Sequence, residues 1–493
     1  MRAEGSFMRL RTITLDGARI GPADIVDIAR DGVPVRLAAD GLLRAAAACT
    51  AAGEIARRRP VYGRTTGVGA NRTQDVAAAE GDAHGLRLLR SHAGGAGGPV
   101  PAEQARAMMA VRANQIMAGG AGLRPAFAEA LAVALNSGHL PQVHEIGAVG
   151  TGDLTALAET GLTLIGERPW TGGRPGVPPP APVALAAGDA LALCSSSALT
   201  IGQAALAWSQ ATTLLRATPV VAALTLLAVD GGTEPYDARV HAARPHPGAV
   251  AVAAEMRRLL GGAAPVPARV QDPFGLRCLP QVHGPAVEAA ASVERVLGVE
   301  INAAAENPLV DAAGGTVLHH GGFHQASLGL ALDHLRVALL HTAHLSAARL
   351  AALVEPAFTG LRPFLAGPAA GSSGVMILEY TANAALAELR GAASPAALGH
   401  AVLSRGVEEH ASFAAQSARQ TLRAAASYRL VVACELVASV RALRLRGAVP
   451  AAATPAGEAY ARAAARLDPR EEDRPLTPDI DTAAALLESF ATL

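Results

Sequence analysis

The chain contains no lysine; all 42 basic side chains are arginines, balanced by 42 acidic ones for a formal net charge of zero. Neutral balance, with no basic run and no aromatic platform, argues against a nucleic-acid surface. Aromatic residues make up only 3% of the 493, and the 51% hydrophobic content is mostly Ala, Leu and Val. That favours close-packed helices meeting through small side chains. The four cysteines, Cys49, Cys194, Cys278 and Cys434, are scattered with no C-x-x-C pair. This excludes a disulfide framework or zinc knuckle and points to reduced thiols in a cytoplasmic protein. The N-terminal MRAEGSFMRLRTITLDG lacks an apolar signal core, and Met8 is a candidate start. The most apolar stretch, Ala190 to Val229, is interrupted by Ser195, Ser196, Ser197, Gln203, Gln210 and Arg216. It reads as a buried bundle helix, with no membrane span expected.

The pattern changes along the chain. Strand-like, turn-rich pieces occupy the first hundred residues: RTITLDG, VPVRLA and VYGRTTGVGA. From Ala102 the apolar spacing becomes helical, and long helical tracts are expected at 185–230, 280–300, 324–354, 375–390 and 408–446. Such helices need partners on several sides. The expected fold is mainly α, with a smaller loop-rich N-terminal domain over 1–200, a central helical bundle over 201–450, and a tail with a last short helix over 451–493.

Four segments combine permissive glycines with reactive groups: Tyr62–Gly69, Val149–Leu154, Gln271–Cys278 and His319–His324. Supporting segments are Ser91-His92-Ala93, Arg112-Ala113-Asn114, Asn307-Pro308-Leu309-Val310, Ser373-Gly374-Val375-Met376-Ile377, Tyr380-Thr381-Ala382 and Glu408-Glu409-His410. In this order and spacing they resemble the aromatic amino acid lyase family, nearest its histidine ammonia-lyase branch, from about Ile13 to Arg446. The resemblance implies a helical homotetramer with active sites built from loops of several subunits, an amino-acid substrate, and no metal. The family eliminates an amine and a Cβ proton, using a methylidene-imidazolone electrophile cyclised from Ala-Ser-Gly.

By the same resemblance Tyr62 matches the catalytic base and Arg277 the arginine whose fork holds the substrate carboxylate. His92 and Phe323 match residues beside the substrate ring and cofactor. Glu408 matches the acceptor for a substrate imidazole N–H, favouring an imidazole-type substrate. Other positions depart from the pattern. Gly150-Thr151-Gly152 stands where the electrophile triad belongs, in a loop one residue short. Ser195 replaces an Asn that steadies the cofactor, Phe274 a second Tyr, and Gly322 an Asn.

Three readings follow. One is a lyase working without the electrophile, as ergothionase-type members do when they expel trimethylamine from a betaine. No cofactor is expected there, and Glu379 and Asn383, beside Tyr380, are candidates to cradle the quaternary ammonium. The second is an ammonia-lyase or aminomutase with an autocatalytic imidazolone derived from Gly150, Thr151 and Gly152. The third is a non-catalytic scaffold.

Overall fold

The computed structural model describes residues 11–262 and 266–493; the candidate start Met8 lies outside them. The chain divides into two compact units. The first comprises the chain up to Ser209, Glu294–Leu332 and Pro395–Arg419. Its first hundred residues are more helical than expected. Ile13–Leu15 and Val35–Leu37 do form strands, a parallel pair with Ile13 opposite Val35. Helix Pro22–Arg30 makes the crossover between them, as a parallel pair requires. VYGRTTGVGA is instead a run of turns with a single bridge from Thr66 to Asp75.

Helix Ala39–Ala56 was not anticipated, because its buried stripe is written in small residues: Gly41, Ala45, Ala48, Ala52 and Ile55. The spacing is helical, but alanine gives little contrast between faces. Ala48, Ala52 and Ile55 pack with Val61, Val310 and Val317. Val310 and Val317 belong to the antiparallel hairpin Leu309–Asp311/Thr316–Leu318. This cluster fixes the root of the Tyr62 loop. Helices Ala102–Ala118 and Pro125–Ser137 stop at Gly119 and Gly138, whose φ of +90° and +80° is the left-handed cap that favours glycine.

The second unit comprises Gln210–Val293, Asp333–Ser394 and Gln420–Leu493. Helices Pro247–Leu260, Ile377–Ala392, Pro455–Ala464 and Thr477–Phe490 belong to it. The long tracts expected from the sequence appear as Ala198–Ala228, Leu279–Glu300, Ala326–Val354 and Ala414–Leu445. Two expected boundaries move. The tract at 185–230 breaks into Asp189–Cys194 and Ala198–Ala228, where the hydroxyls of Ser195 and Ser196 turn to Asn307 and Gln115. The tract at 408–446 begins only at Ala414, after Phe413 at φ +52°.

Asp189–Ala228 and Ala326–Val354 are long and apolar enough to cross a membrane, and 78% and 50% of their apolar windows are buried within the protein. Burial in the fold accounts for most of the apolarity of the first. All four cysteines are unpaired.

Candidate active site

In the loop Gly147–Leu154, Gly150 and Gly152 have φ of +87° and +108°, backbone open mainly to glycine. The Gly150 carbonyl accepts hydrogen bonds from Ser412 Oγ (2.8 Å) and the Gln325 amide (3.2 Å). Val149 O accepts from the Phe413 amide at 2.7 Å. A Cβ on Gly150 would collide with Ser412 Oγ and lie 2.8 Å from Ala414 N. Thr151 is half-buried, and its hydroxyl has no hydrogen bond among the described residues. Behind the loop, the buried Asp153 carboxylate accepts from Thr200 N and Oγ1, both at 2.8 Å. Burial nonetheless pushes its pKa up to about 6.

Ser195 is buried, and its Oγ accepts from the Asn307 amide (3.0 Å). Ser196 Oγ donates to Gln115 Oε1 (2.6 Å). Asn307 Oδ1 in turn accepts from the His320 amide (3.0 Å). His320 Nε2 faces Glu306 O (2.8 Å), and its Nδ1 accepts from Gly322 N (2.8 Å), which places the ring proton on Nε2. Ser195 and Gly322 thus serve backbone latches.

Tyr62 and Glu408, far apart in sequence, come together in the first unit. The Tyr62 hydroxyl accepts from the Gly69 amide (2.6 Å), and Tyr62 N donates to His319 Nε2 (3.3 Å). Ala70 N donates to Ser404 Oγ (2.9 Å). Leu403 and Glu408 pair as a backbone bridge, and Glu408 Oε1 lies 3.6 Å from where a Gly69 Cβ would stand. Ser404 and Arg405 hold φ of +51° and +57° to make that turn. Burial raises the Tyr62 phenol above its ordinary value and Glu408 adds to the rise; the Gly69 hydrogen bond and Arg72 oppose it without cancelling it. Next to Glu408, His410 Nδ1 is 3.1 Å from His324 Nε2. Burial, then the neighbouring His410, lowers the His324 pKa.

His92 ends helix Gly81–His92, and its ring hydrogen bonds are local, to Leu88 O (2.9 Å) and Ser91 Oγ (3.0 Å). Phe323 is half-buried beside His324. Among the described residues no group of three or more His, Cys, Asp or Glu is arranged to hold a metal.

In the second unit, Arg277 closes the four-residue turn Phe274–Arg277. Its guanidinium lies 4.3 Å from the centroid of the Phe274 ring, and its buried Nε has no hydrogen-bond partner. Among the described residues no carboxylate pairs with it, so the fork is available to an anion. Asn383 donates its side-chain amide to Glu379 O (2.8 Å), its own helix, and burial raises the Glu379 carboxyl.

The residues that sequence reasoning missed are Ser404, Ser412 and Gln325. Nothing in the local pattern marks them, because the Ser412–Gly150 bond spans 262 positions.

Residues 20–466 match the aromatic amino acid lyase family. The chain is 36% identical over 488 residues to the histidine ammonia-lyase of Symbiobacterium thermophilum, covering 96% of each protein. Among solved structures, it is similar to ergothionase from Treponema denticola in complex with desmethyl-ergothioneine sulfonic acid, with TM-score 0.90 and 25% identity, covering 98% of this chain and 100% of that one. The histidine ammonia-lyase of Trypanosoma cruzi gives TM-score 0.89 at 28% identity, covering 97% and 94%.

Proposed function

The chain belongs to the aromatic amino acid lyase family and is a carbon–nitrogen lyase; within it, we propose an α,β-elimination of an amine from histidine or a histidine-derived amino acid such as a trimethyl betaine. The product is a urocanate-type acrylate, and the reaction runs without the methylidene-imidazolone electrophile. The observation that carries this reading is the closed backbone around Gly150. That family group is built from Ala-Ser-Gly, and position 150 has no room for the alanine's Cβ beside Ser412 and Ala414. With Thr151 in the serine's place, the residues present do not fit the usual group.

The remaining residues suffice for a substrate whose leaving group needs no activation. Arg277 holds the carboxylate and Glu408 accepts from the imidazole N–H. The Tyr62 phenolate takes the Cβ proton, the C–H electron pair becomes the Cα=Cβ bond, and the amine departs with the C–N pair. A quaternary ammonium is already a good leaving group, so positioning and a base account for the barrier. The likeness to ergothionase and to histidine ammonia-lyases supports the imidazole-type substrate. We place the enzyme in the cytoplasm as a homotetramer.

A second reading, an ammonia-lyase with a Thr-derived imidazolone, is favoured by one observation. The Gly150 carbonyl, the atom a Gly152 nitrogen would attack, already receives two hydrogen bonds. Intact mass separates the two: the unmodified chain mass is expected, and a deficit of two waters sinks the electrophile-free reading. Incubation with histidine, its trimethyl betaine and the thiolated betaine, followed by ultraviolet absorbance of the acrylate, identifies the leaving amine. Turnover of the betaines and not of histidine is the expected result.

A further inference from the structure

We propose that Arg349 and Tyr236 are positioning residues for Arg277, an inference that rests on Arg277 being the carboxylate ligand. The turn Phe274–Arg277 is too short to define its own orientation. Its internal hydrogen bonds are those of Leu276 and Arg277 to Pro273 O and of Cys278 to Phe274 O and Leu276 O. The carbonyls of Gly275 and Leu276 also accept from two buried side chains of the same unit. Arg349 Nη1 donates to Gly275 O (3.0 Å), and the Tyr236 hydroxyl donates to Leu276 O (2.8 Å). Both donors are essentially sealed from solvent, at 1% and 0% exposure. The turn sits directly on the arginine: a Cβ at Gly275 would lie 3.0 Å from Arg349 Cγ.

The two donors are themselves fixed. Arg349 Nε and Nη2 grip the Glu435 carboxylate at 2.6 and 2.8 Å. Glu435 also accepts from Thr225 Oγ1 (2.7 Å) and Ser346 Oγ (2.6 Å). One edge of the guanidinium is therefore spent on a fully bonded carboxylate, which leaves Nη1 aimed at the turn. Burial holds the Tyr236 phenol protonated, so it remains a donor. A bidentate guanidinium–carboxylate contact depends on the plane of the fork. Anchoring the carbonyls of the two peptide groups that flank the Leu276 Cα sets the direction in which the next side chain, Arg277, leaves the backbone.

Ligand pairs that differ only in the carboxylate provide the test. Binding of imidazolepropionate and of ethylimidazole, its decarboxylated counterpart, is measured on the full-length enzyme and on Tyr236→Phe, Arg349→Lys and Arg277→Met. Tyr236→Phe keeps the ring and the packing, so it stays informative should Arg349→Lys fail to fold. The expected result is about tenfold weaker imidazolepropionate binding in Tyr236→Phe with ethylimidazole unchanged, the size of one lost hydrogen bond. In the Arg277→Met background, Tyr236→Phe should add nothing. If Arg277→Met selectively loses the carboxylate ligand but Tyr236→Phe does not, or loses both ligands equally, the positioning role is overturned. If Arg277→Met leaves both ligands unaffected, the carboxylate assignment fails first, and the positioning role with it.

Discussion

In the loop Gly147–Leu154 the Gly150 carbonyl is held by Ser412 and Gln325; in the turn Phe274–Arg277 the carbonyls of Gly275 and Leu276 are held by Arg349 and Tyr236. Both segments use glycine where a Cβ would press on the side chain that holds the backbone. Yet their reactive positions differ. The turn presents a guanidinium that, among the described residues, pairs with no carboxylate, and under the proposed function it is the fork for the substrate carboxylate. The loop has lost two of the three residues from which an electrophile is made. Similar anchoring beneath different reactive positions teaches that the way a segment is held says little about the chemistry it presents. The residues that face the substrate decide that, and the comparison can be broken at several points.

The largest expected effect is on the base. Tyr62→Phe removes the proton acceptor and should lower turnover by about 10²–10⁴-fold, the usual worth of a positioned general base, while substrate binding changes little; full turnover in that variant would remove Tyr62 from the mechanism. Because burial and Glu408 both raise the phenol, its deprotonated form gains population only as pH climbs. The rate should therefore still be rising with pH near 10, about the ordinary value for tyrosine. A plateau near neutrality would show that other charges depress the phenol.

Next comes the loop itself. Gly150→Ala forces a methyl against Ser412 Oγ and places alanine at φ +87°. Overpacking and left-handed strain together should cost about 3 kcal/mol, read as a lower unfolding midpoint. A variant as stable as the parent would mean that the loop can open to accept the missing alanine, and the electrophile would again fit.

How much of this was legible in the sequence follows from what each feature depends on. The tracts at 280–300 and 324–354 were readable because large apolar residues recur at helical spacing. Helix Ala39–Ala56 was not, because its stripe is alanine. The break at Ser195–Ser197 and the pins on Gly150 depend on partners such as Asn307 and Ser412, brought from distant segments. Tyr62, Arg277 and Glu408 were nameable from motifs, but the joining of Tyr62 to the Glu408 turn through Gly69 and Ser404 rests on contacts between segments 334 positions apart.

A smaller effect is expected from Asp153, behind the loop. Its folded-state pKa of about 6 stands above the ordinary carboxyl value. Between roughly pH 4 and 6 the folded chain keeps a proton that the unfolded chain has released, so this group's contribution to stability falls as pH rises through that window and is constant above it. The ceiling is about 3 kcal/mol, at 1.36 kcal/mol per pKa unit. Asp153→Asn cannot ionise; the stability difference between variant and parent should shift in the variant's favour as pH rises across the window. A difference independent of pH would place the carboxyl near its ordinary value.

The smallest expected effect discriminates best between loop and turn. Thr151 is half-buried and its hydroxyl has no hydrogen bond among the described residues, so Thr151→Ala should leave stability within about 0.5 kcal/mol. If no electrophile forms, its turnover of the trimethyl betaine should also stay within about twofold of the parent, because the hydroxyl takes no part in base-driven elimination. A Thr-derived ring requires that same hydroxyl to leave as water, so an ammonia-lyase of the second kind would lose its activity with this one substitution. Gly150→Ala tests whether the backbone could hold the family's group; Thr151→Ala tests whether catalysis uses one. Silence at Thr151 alongside a large loss at Tyr62 would show that the reaction depends on the retained residues and not on the altered loop.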